Sequence, residues 1–424
     1  MLRGARQWWF AVVPALTALA LGIWGIGTTG PWFDERFTID ALVDGMLQRP
    51  SDAPYLPYFS LLWIWSGMGN ATGIEWVRGL SVLATIAGSV FVVLTAHRLA
   101  GRYAGFAAGM MFALAPGVAR YAQEARPYAL PAALVALATL ALVLAMGGAS
   151  RRWWFAYGIA LGAAALMLPV SFAAIPAHAV IITGFPEWRD KVRDWIAACL
   201  FLVPIAAIAA LLGLWFGGLH DWLAVPAWTD IPAGLTFPVA SEWTGAAGTT
   251  FAVVLIALAA LTPAGLRWLV GTAFAVVIMW VLSVTLMNWW TARSFLPLAA
   301  LLCVAAGLSL ARADWTRVLV VTGILAIVSL PAHRSVREPG SRGIDVRYVA
   351  AIVDRNGLDG DTLLVPTSGS LLGWAGTRYL GEDVRFRQAP VPDGGRWWAI
   401  DAGPACDPIQ TWTLAEERTL SLCR

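Results

Sequence analysis

The chain has 424 residues, of which 59% are hydrophobic and 13% charged, with a mean hydropathy of +0.68. Soluble domains carry roughly 25% charged residues, so a wholly soluble globule is excluded. A net charge of +3 with no basic block likewise argues against a nucleic-acid partner.

The charge deficit is uneven. Runs such as 7–33, 79–96 and 127–150 carry no charge, whereas 332–424 has ordinary soluble composition. The first residues are basic (Arg3, Arg6), and the apolar run after them ends in GIWGIGTTG without a small-x-small cleavage site, so it reads as a retained helix rather than a signal peptide. Apolar length then predicts about eleven transmembrane helices, at 8–27, 79–97, 103–119, 128–147, 153–169, 171–184, 195–217, 249–265, 268–287, 294–311 and 316–331. Tryptophans cluster at their ends (Trp8, Trp9, Trp153, Trp154, Trp268, Trp289, Trp290), where amphipathic indoles favour the headgroup layer.

Orientation follows from Arg and Lys in the short loops. One set of connections carries Arg3/Arg6, Arg98/Arg102, Arg151/Arg152, Arg189/Lys191/Arg193, Arg267 and Arg312/Arg317; the other is poorer. The basic set is cytoplasmic, which puts the N-terminus inside and, after an odd number of spans, the tail outside. The stretch 54–69 (PYLPYFSLLWIWSGMG) is apolar but short and holds two prolines, so it reads as a re-entrant or interfacial segment. Before it, Phe37, Ile39, Leu42, Val43, Met46 and Leu47 recur at near-helical spacing around Asp40 and Asp44, as in an amphipathic surface helix. The first outer loop, 28–78, is therefore long and structured.

The expected fold class is an all-α polytopic membrane unit, 1–331, followed by a small extracytoplasmic α/β domain, 332–424. In the tail, a helix (344–356), a strand (361–366), a second helix (370–380) and strands near 384–388 and 396–401 are predicted. It carries no phosphate-cradling glycine loop. Cys199 and Cys303 read as small buried hydrophobes. Cys406 and Cys423 share the tail, and an extracytoplasmic location leaves a disulfide between them open.

Ionisable groups are costly in hydrocarbon and mark function when they occur there. The spans hold almost none; His178 reads as a hydrogen-bonded core histidine. Midplane carboxylates, expected of an ion-coupled transporter, are missing. Charges gather instead in the outer loops. PWFDERFT places Asp34 and Glu35 ahead of the surface helix, where helix capping is the simpler reading. RYAQEARPYAL holds Arg120, Glu124 and Arg126, for which a structural salt bridge is the alternative. NWWTARSFLP holds Arg293, which would otherwise snorkel to the headgroups. The long outer loop 218–248 adds His220, Asp221, Asp230, Glu242 and three tryptophans, as in a gate over an amphiphilic ligand.

These motifs carry a resemblance. Trp32, Asp34 and Glu35 after the first span, then Tyr121, Gln123, Glu124, Arg126 and Tyr128, resemble the bacterial relatives of protein O-mannosyltransferases and aminoarabinose transferases, members of the GT-C class of polyprenyl-phosphate-sugar-dependent glycosyltransferases. VRGLSVLATIAGSVFVVLTAHRLAGRYAG and SFLPLAALLCVAAG are similar to the second and a late span of that family. One departure is clear: where many relatives carry a histidine element before the interfacial segment, this chain has Asp52, Tyr55 and Tyr58.

The resemblance implies an inverting glycosyltransferase at the outer face of a bacterial inner membrane, with a polyprenyl-phosphate sugar as donor and an envelope lipid, glycan or protein as acceptor. Asp34 suits the general base, with Glu35 and Glu124 beside it; Arg126, Tyr128, Arg293, Tyr55, Tyr58 and His220 suit substrate binding, the arginines because a guanidinium matches phosphate oxygens. No cofactor is expected, since arginines paired with a monophosphate leaving group reduce the need for a divalent metal. A lipid or polysaccharide transporter or flippase is the alternative, and a non-catalytic scaffold a further one.

Overall fold

The computed structural model describes residues 9–43, 55–69, 73–202, 204–205, 207–208, 223–241, 244–286, 288–338, 341–342, 345–358, 361–365, 385–388, 396–402, 406–414 and 418–424. It divides into two compact units: Met1–Trp24 with Ala41–Ser335, and Gly25–Asp40 with Val336–Arg424.

The larger unit is helical. Its described helices are α1 (Trp9–Ile23), the end of α2 (Phe33–Val43), α3 (Leu56–Gly67), α4 (Ile74–Ala100), α5 (Arg102–Leu114), α6 (Pro116–Ala122), α7 (Ala129–Met146), α8 (Arg152–Met167), α9 (Ala174–Gly184), α10 (Val192–Leu200), α11 (Ile231–Thr236), α12 (Gly245–Ala260), α13 (Pro263–Thr285), α14 (Ala299–Leu308) and α15 (Trp315–Ser335). Among the described residues, α4, α7, α13 and α15 are long and apolar enough to cross a membrane, and Trp9–Ile23, Pro169–Gly184, Gly245–Ala260 and Ala292–Leu308 are shorter apolar helices. A helix is found at each expected span, although residues 203, 206 and 209–217 of the span 195–217 lie outside the described ones. In the interfacial stretch, α3 has 12 residues, about 18 Å of helix against a hydrocarbon core of about 30 Å.

Prolines cut spans that read as continuous. The expected helix 103–119 is two helices, because Pro116 has no N–H and holds Ala115 in an extended conformation, ψ 119°. Likewise 294–311 opens as a 3₁₀ turn, Ala292–Leu298, containing Pro297, before α14 begins. Close packing rests on small residues: a Cβ on Gly307 of α14 would lie 2.6 Å from Ala108 Cβ and 2.8 Å from the Ala104 carbonyl of α5.

The smaller unit carries α16 (Val346–Asn356), capped by the Asp345 carboxylate, which accepts from the Arg347 N–H at 3.0 Å. Its strands are β1 (Thr362–Val365), β2 (Arg385–Gln388), β3 (Trp397–Ile400), β4 (Pro408–Thr413) and β5 (Thr419–Cys423), in sheet order β2-β1-β3-β5-β4. β1 runs parallel to β2 and β3, while β3, β5 and β4 are antiparallel. Val349, Ile352 and Val353 of α16 pack on Leu363, Trp398, Leu420 and Leu422 of the sheet. Cys406 and Cys423 form a disulfide, Cα–Cα 5.2 Å. The expected helix at 370–380 lies outside the described residues. β4 and β5 were not expected.

Residues 25–40 group with this tail, although the sequence reading joined 28–78 to the helices. Named contacts account for it: Arg347 Nη2 donates to the Gly27 carbonyl at 3.1 Å, Thr28 Oγ1 to the Arg337 carbonyl at 3.2 Å, and Arg342 pairs with Glu35. The surface helix also begins earlier than read. Asp34 and Glu35 lie inside the first turn of α2, not ahead of it, where carboxylates complement the positive end of the helix dipole.

Candidate active site

In the helical unit Arg120, Glu124, Arg126 and Arg293 are built into one connected cluster. Arg120 and Glu124 are the i, i+4 pair running from α6 into the turn after it, joined Nη1 to Oε2 at 2.7 Å with side chains 1% and 0% exposed. Pro127 keeps α6 from continuing, and the chain turns over 123–128 before α7 starts at Ala129. Ser81 of α4 donates to the Glu124 carbonyl at 2.6 Å, and Gln123 donates to the carbonyls of Leu21, Gly22 and Trp24.

The turn then presents cations against tyrosines. The Arg126 guanidinium lies 5.1 Å from the Tyr55 ring centroid, and that of Arg293 lies 5.9 Å from the Tyr128 ring. Tyr128 meets Tyr121 edge-on at 5.4 Å, and Arg120 lies 5.8 Å from the Tyr121 ring. Five expected site residues, Glu124, Arg126, Tyr128, Arg293 and Tyr55, are thus brought together. Tyr58 instead packs at 0% exposure with Phe59, Leu62 and Val77. His220 and Asp52 lie outside the described residues.

In the smaller unit, Asp34 is half-buried, while Glu35 is fully buried and within 3.6 Å of Arg342 Nη1. Glu35 also accepts from the Trp32 N–H at 3.4 Å, which closes the start of α2. The Arg36 guanidinium sits over the rings of Phe33 and Phe37, at 4.3 and 4.6 Å. Burial pushes the Arg337 guanidinium down to about 10, leaving it charged at neutral pH.

His178 behaves as a core residue. Thr139 Oγ1 gives its hydrogen to the Val135 carbonyl at 2.8 Å, so at 3.1 Å it accepts from His178 Nε2–H. Nδ1 then accepts from Tyr157 OH at 3.2 Å, and Tyr157 accepts from Trp195 Nε1 at 3.2 Å. Every direction in this chain is fixed and both ring nitrogens are used.

The described part of the expected gate, 223–241, is tethered. Asn288 Nδ2 donates to the Leu223 and Ala224 carbonyls at 3.1 and 2.8 Å, and Trp280 Nε1 to the Ala227 carbonyl at 3.0 Å. At the other end the Gly117 N–H of α6 donates to the Val239 carbonyl at 2.8 Å.

The family profile described as dolichyl-phosphate-mannose-protein mannosyltransferase matches residues 53–215. The lipid A galacturonosyltransferase RgtD of Rhizobium johnstonii is 28% identical over 186 residues, 42% of this chain and 38% of that protein. The chain therefore matches well under half of that curated relative. ArnT of Cupriavidus metallidurans, in a structure bound to undecaprenyl phosphate, has TM-score 0.61 at 12% identity, covering 98% of both chains. An oligosaccharyltransferase of Archaeoglobus fulgidus has TM-score 0.51 at 13% identity, over 89% of this chain and 63% of that one.

The fold is that of the GT-C glycosyltransferases.

The sequence resemblance singled out Glu124, Arg126, Tyr128 and Arg293, which this fold brings together. It missed the residues that hold them: Ser81, Gln123 in any structural part, and Arg342 as partner of Glu35. Gln123 was visible inside the motif, but its acceptors lie in α1, and no local pattern points there. Among the described residues, no group of three or more His, Cys, Asp or Glu side chains is placed to hold a metal ion.

Proposed function

We propose that the protein is an inverting glycosyltransferase that moves a sugar from a polyprenyl-phosphate donor to an envelope acceptor on the extracytoplasmic face of the inner membrane. The observation that carries this reading is the cluster of Arg126 on Tyr55 and Arg293 on Tyr128, in a chain whose fold is shared over 98% of its length with ArnT in its undecaprenyl-phosphate-bound form. Guanidinium forks suit the non-bridging oxygens of a lipid phosphate, and packing against a phenol ring pre-organises the fork.

The donor already carries its leaving group, a phosphate on the anomeric carbon. Transfer needs a base for the acceptor hydroxyl, charge stabilisation for the departing phosphate, and in-line alignment. Asp34 takes the first role, being the half-buried carboxylate of its pair; Glu35 is committed to Arg342. Arg126 and Arg293 take the second. Glu124, held by Arg120, orients that arginine or a sugar hydroxyl. One base and direct displacement give inversion at the anomeric carbon. The Cys406–Cys423 disulfide supports an oxidising compartment for the tail, and the lipid A relative favours a lipid acceptor.

The test is mass spectrometry of envelope lipids and glycans from a deletion strain, complemented with wild type or Asp34→Asn. One sugar missing from a defined acceptor, restored by wild type alone, is expected. An unchanged envelope in the deletion strain overturns the proposal.

A further inference from the structure

Gln123 directly precedes Glu124 in the turn that carries Arg126, and the chemistry proposed above gives it no part. Its side chain is 1% exposed. The amide Nε2 lies 2.7 Å from the Trp24 carbonyl, 3.0 Å from that of Gly22 and 3.3 Å from that of Leu21. These are carbonyls at the C-terminal end of α1, where helix oxygens run out of intrahelical donors. The helix stops because Gly25 adopts a left-handed conformation, φ +68°. Carbonyls only accept, so three of them around one nitrogen fix the orientation of the amide. A second tether, Ser81 Oγ to the Glu124 carbonyl at 2.6 Å, ties the same turn to α4.

We propose that Gln123 is a positioning residue that fixes the Arg126 turn to the end of α1 and so holds the guanidinium at its place against Tyr55. The proposal rests on the reading that Arg126 takes the donor's phosphate. The residue type follows from the surroundings. Three carbonyl acceptors, one bond buried and two partly buried, call for a neutral double donor; a carboxylate would face only oxygen, and an apolar side chain would remove all three Gln123 hydrogen bonds.

Full-length protein in lipid nanodiscs is titrated with undecaprenyl phosphate as the probe, at pH 5 to 8, for wild type, Gln123→Glu, Gln123→Met, Ser81→Ala and Arg126→Ala. Burial and three facing carbonyls raise the introduced Glu above the ordinary carboxylate range, and it keeps one hydrogen bond only while protonated. The ratio of its Kd to that of wild type is therefore expected to stay within about threefold at pH 5 and to reach about tenfold by pH 8, the order expected when largely desolvated acceptors lose their donor. Gln123→Met is expected to bind roughly tenfold more weakly at every pH, and Ser81→Ala a few-fold more weakly. Taking ratios removes the titration of the probe's own phosphate.

Both Gln123 variants binding as wild type across the range, while Arg126→Ala is weakened, overturns the positioning role and leaves the phosphate reading intact. Lowered melting temperatures with unchanged binding also overturn it, since a purely structural residue behaves that way. Where neither Gln123 variant folds, Ser81→Ala decides, and unchanged binding there overturns the tethering. Arg126→Ala binding as wild type overturns the phosphate reading itself.

Discussion

Removing Glu124 should destabilise the protein far more than removing Glu124 and Arg120 together. The pair is joined at 2.7 Å with exposures of 0% and 1%, so Glu124→Leu takes the carboxylate away from a buried guanidinium. Breaking a buried pair this way costs about 3–5 kcal/mol, whereas replacing both partners with apolar groups of similar volume is near neutral or stabilising. The coupling between Glu124→Leu and Arg120→Met should therefore be at least about 2 kcal/mol. Urea unfolding of the purified protein in nanodiscs gives the stability of all four members of the cycle, and sugar transfer is measured on the same samples. The double variant is expected to recover stability and to stay inactive, because a chemical part for Glu124 is lost in either background. A single variant costing under about 1 kcal/mol refutes the buried pair. A double variant that regains transfer refutes any chemical role for Glu124.

Three further outcomes follow from the geometry. Gly117→Ala puts a Cβ 2.7 Å from the Ala240 carbonyl oxygen and 2.8 Å from its carbon, backbone that cannot swing aside; it should free 223–241 from α6 and expose that segment to protease in native-state digestion. Changing Cys406 and Cys423 both to Ser opens a loop spanning 17 positions, which costs about 3 kcal/mol in the chain-entropy treatment and should appear as earlier proteolysis of the tail while the helices stay resistant. Asp401 is held below the ordinary carboxylate range by the Thr419 backbone N–H, with Arg418 adding to it. A lowered folded pKa contributes stability above the unfolded value, about 3.9, that is lost as pH falls through the folded value. Asp401→Asn should therefore melt earlier at pH 7, with the difference from wild type shrinking as the pH falls below about 4.

What the sequence disclosed tracks the range of the forces involved. Apolar runs and tryptophan ends are local, so α1, α4, α7, α12, α13 and α15 could be read directly, as could α16 from its amphipathic spacing. The break at Pro116 was equally local and was passed over because hydropathy runs through it. β4 and β5 escaped for a different reason: PIQTWT is an exposed edge strand with little apolar signal, and TLSLC is five residues long. Within the site, the motifs located Arg120, Glu124 and Arg126 but left the partner of Glu124 open between the two arginines; the turn geometry selects Arg120. The Glu35–Arg342 pair and the Gln123 tether join residues remote in sequence, and single-chain periodicity carries no trace of them.

The central claim is sugar transfer from a lipid phosphate. The most direct measurement incubates purified protein with a radiolabelled polyprenyl-phosphate sugar and an envelope lipid extract, then resolves the products and the anomeric configuration of the new linkage. The account predicts labelled acceptor with inverted configuration, formed by wild type and not by Asp34→Asn. Retained configuration, equal transfer by Asp34→Asn, or movement of intact donor across vesicles with no transfer would contradict it.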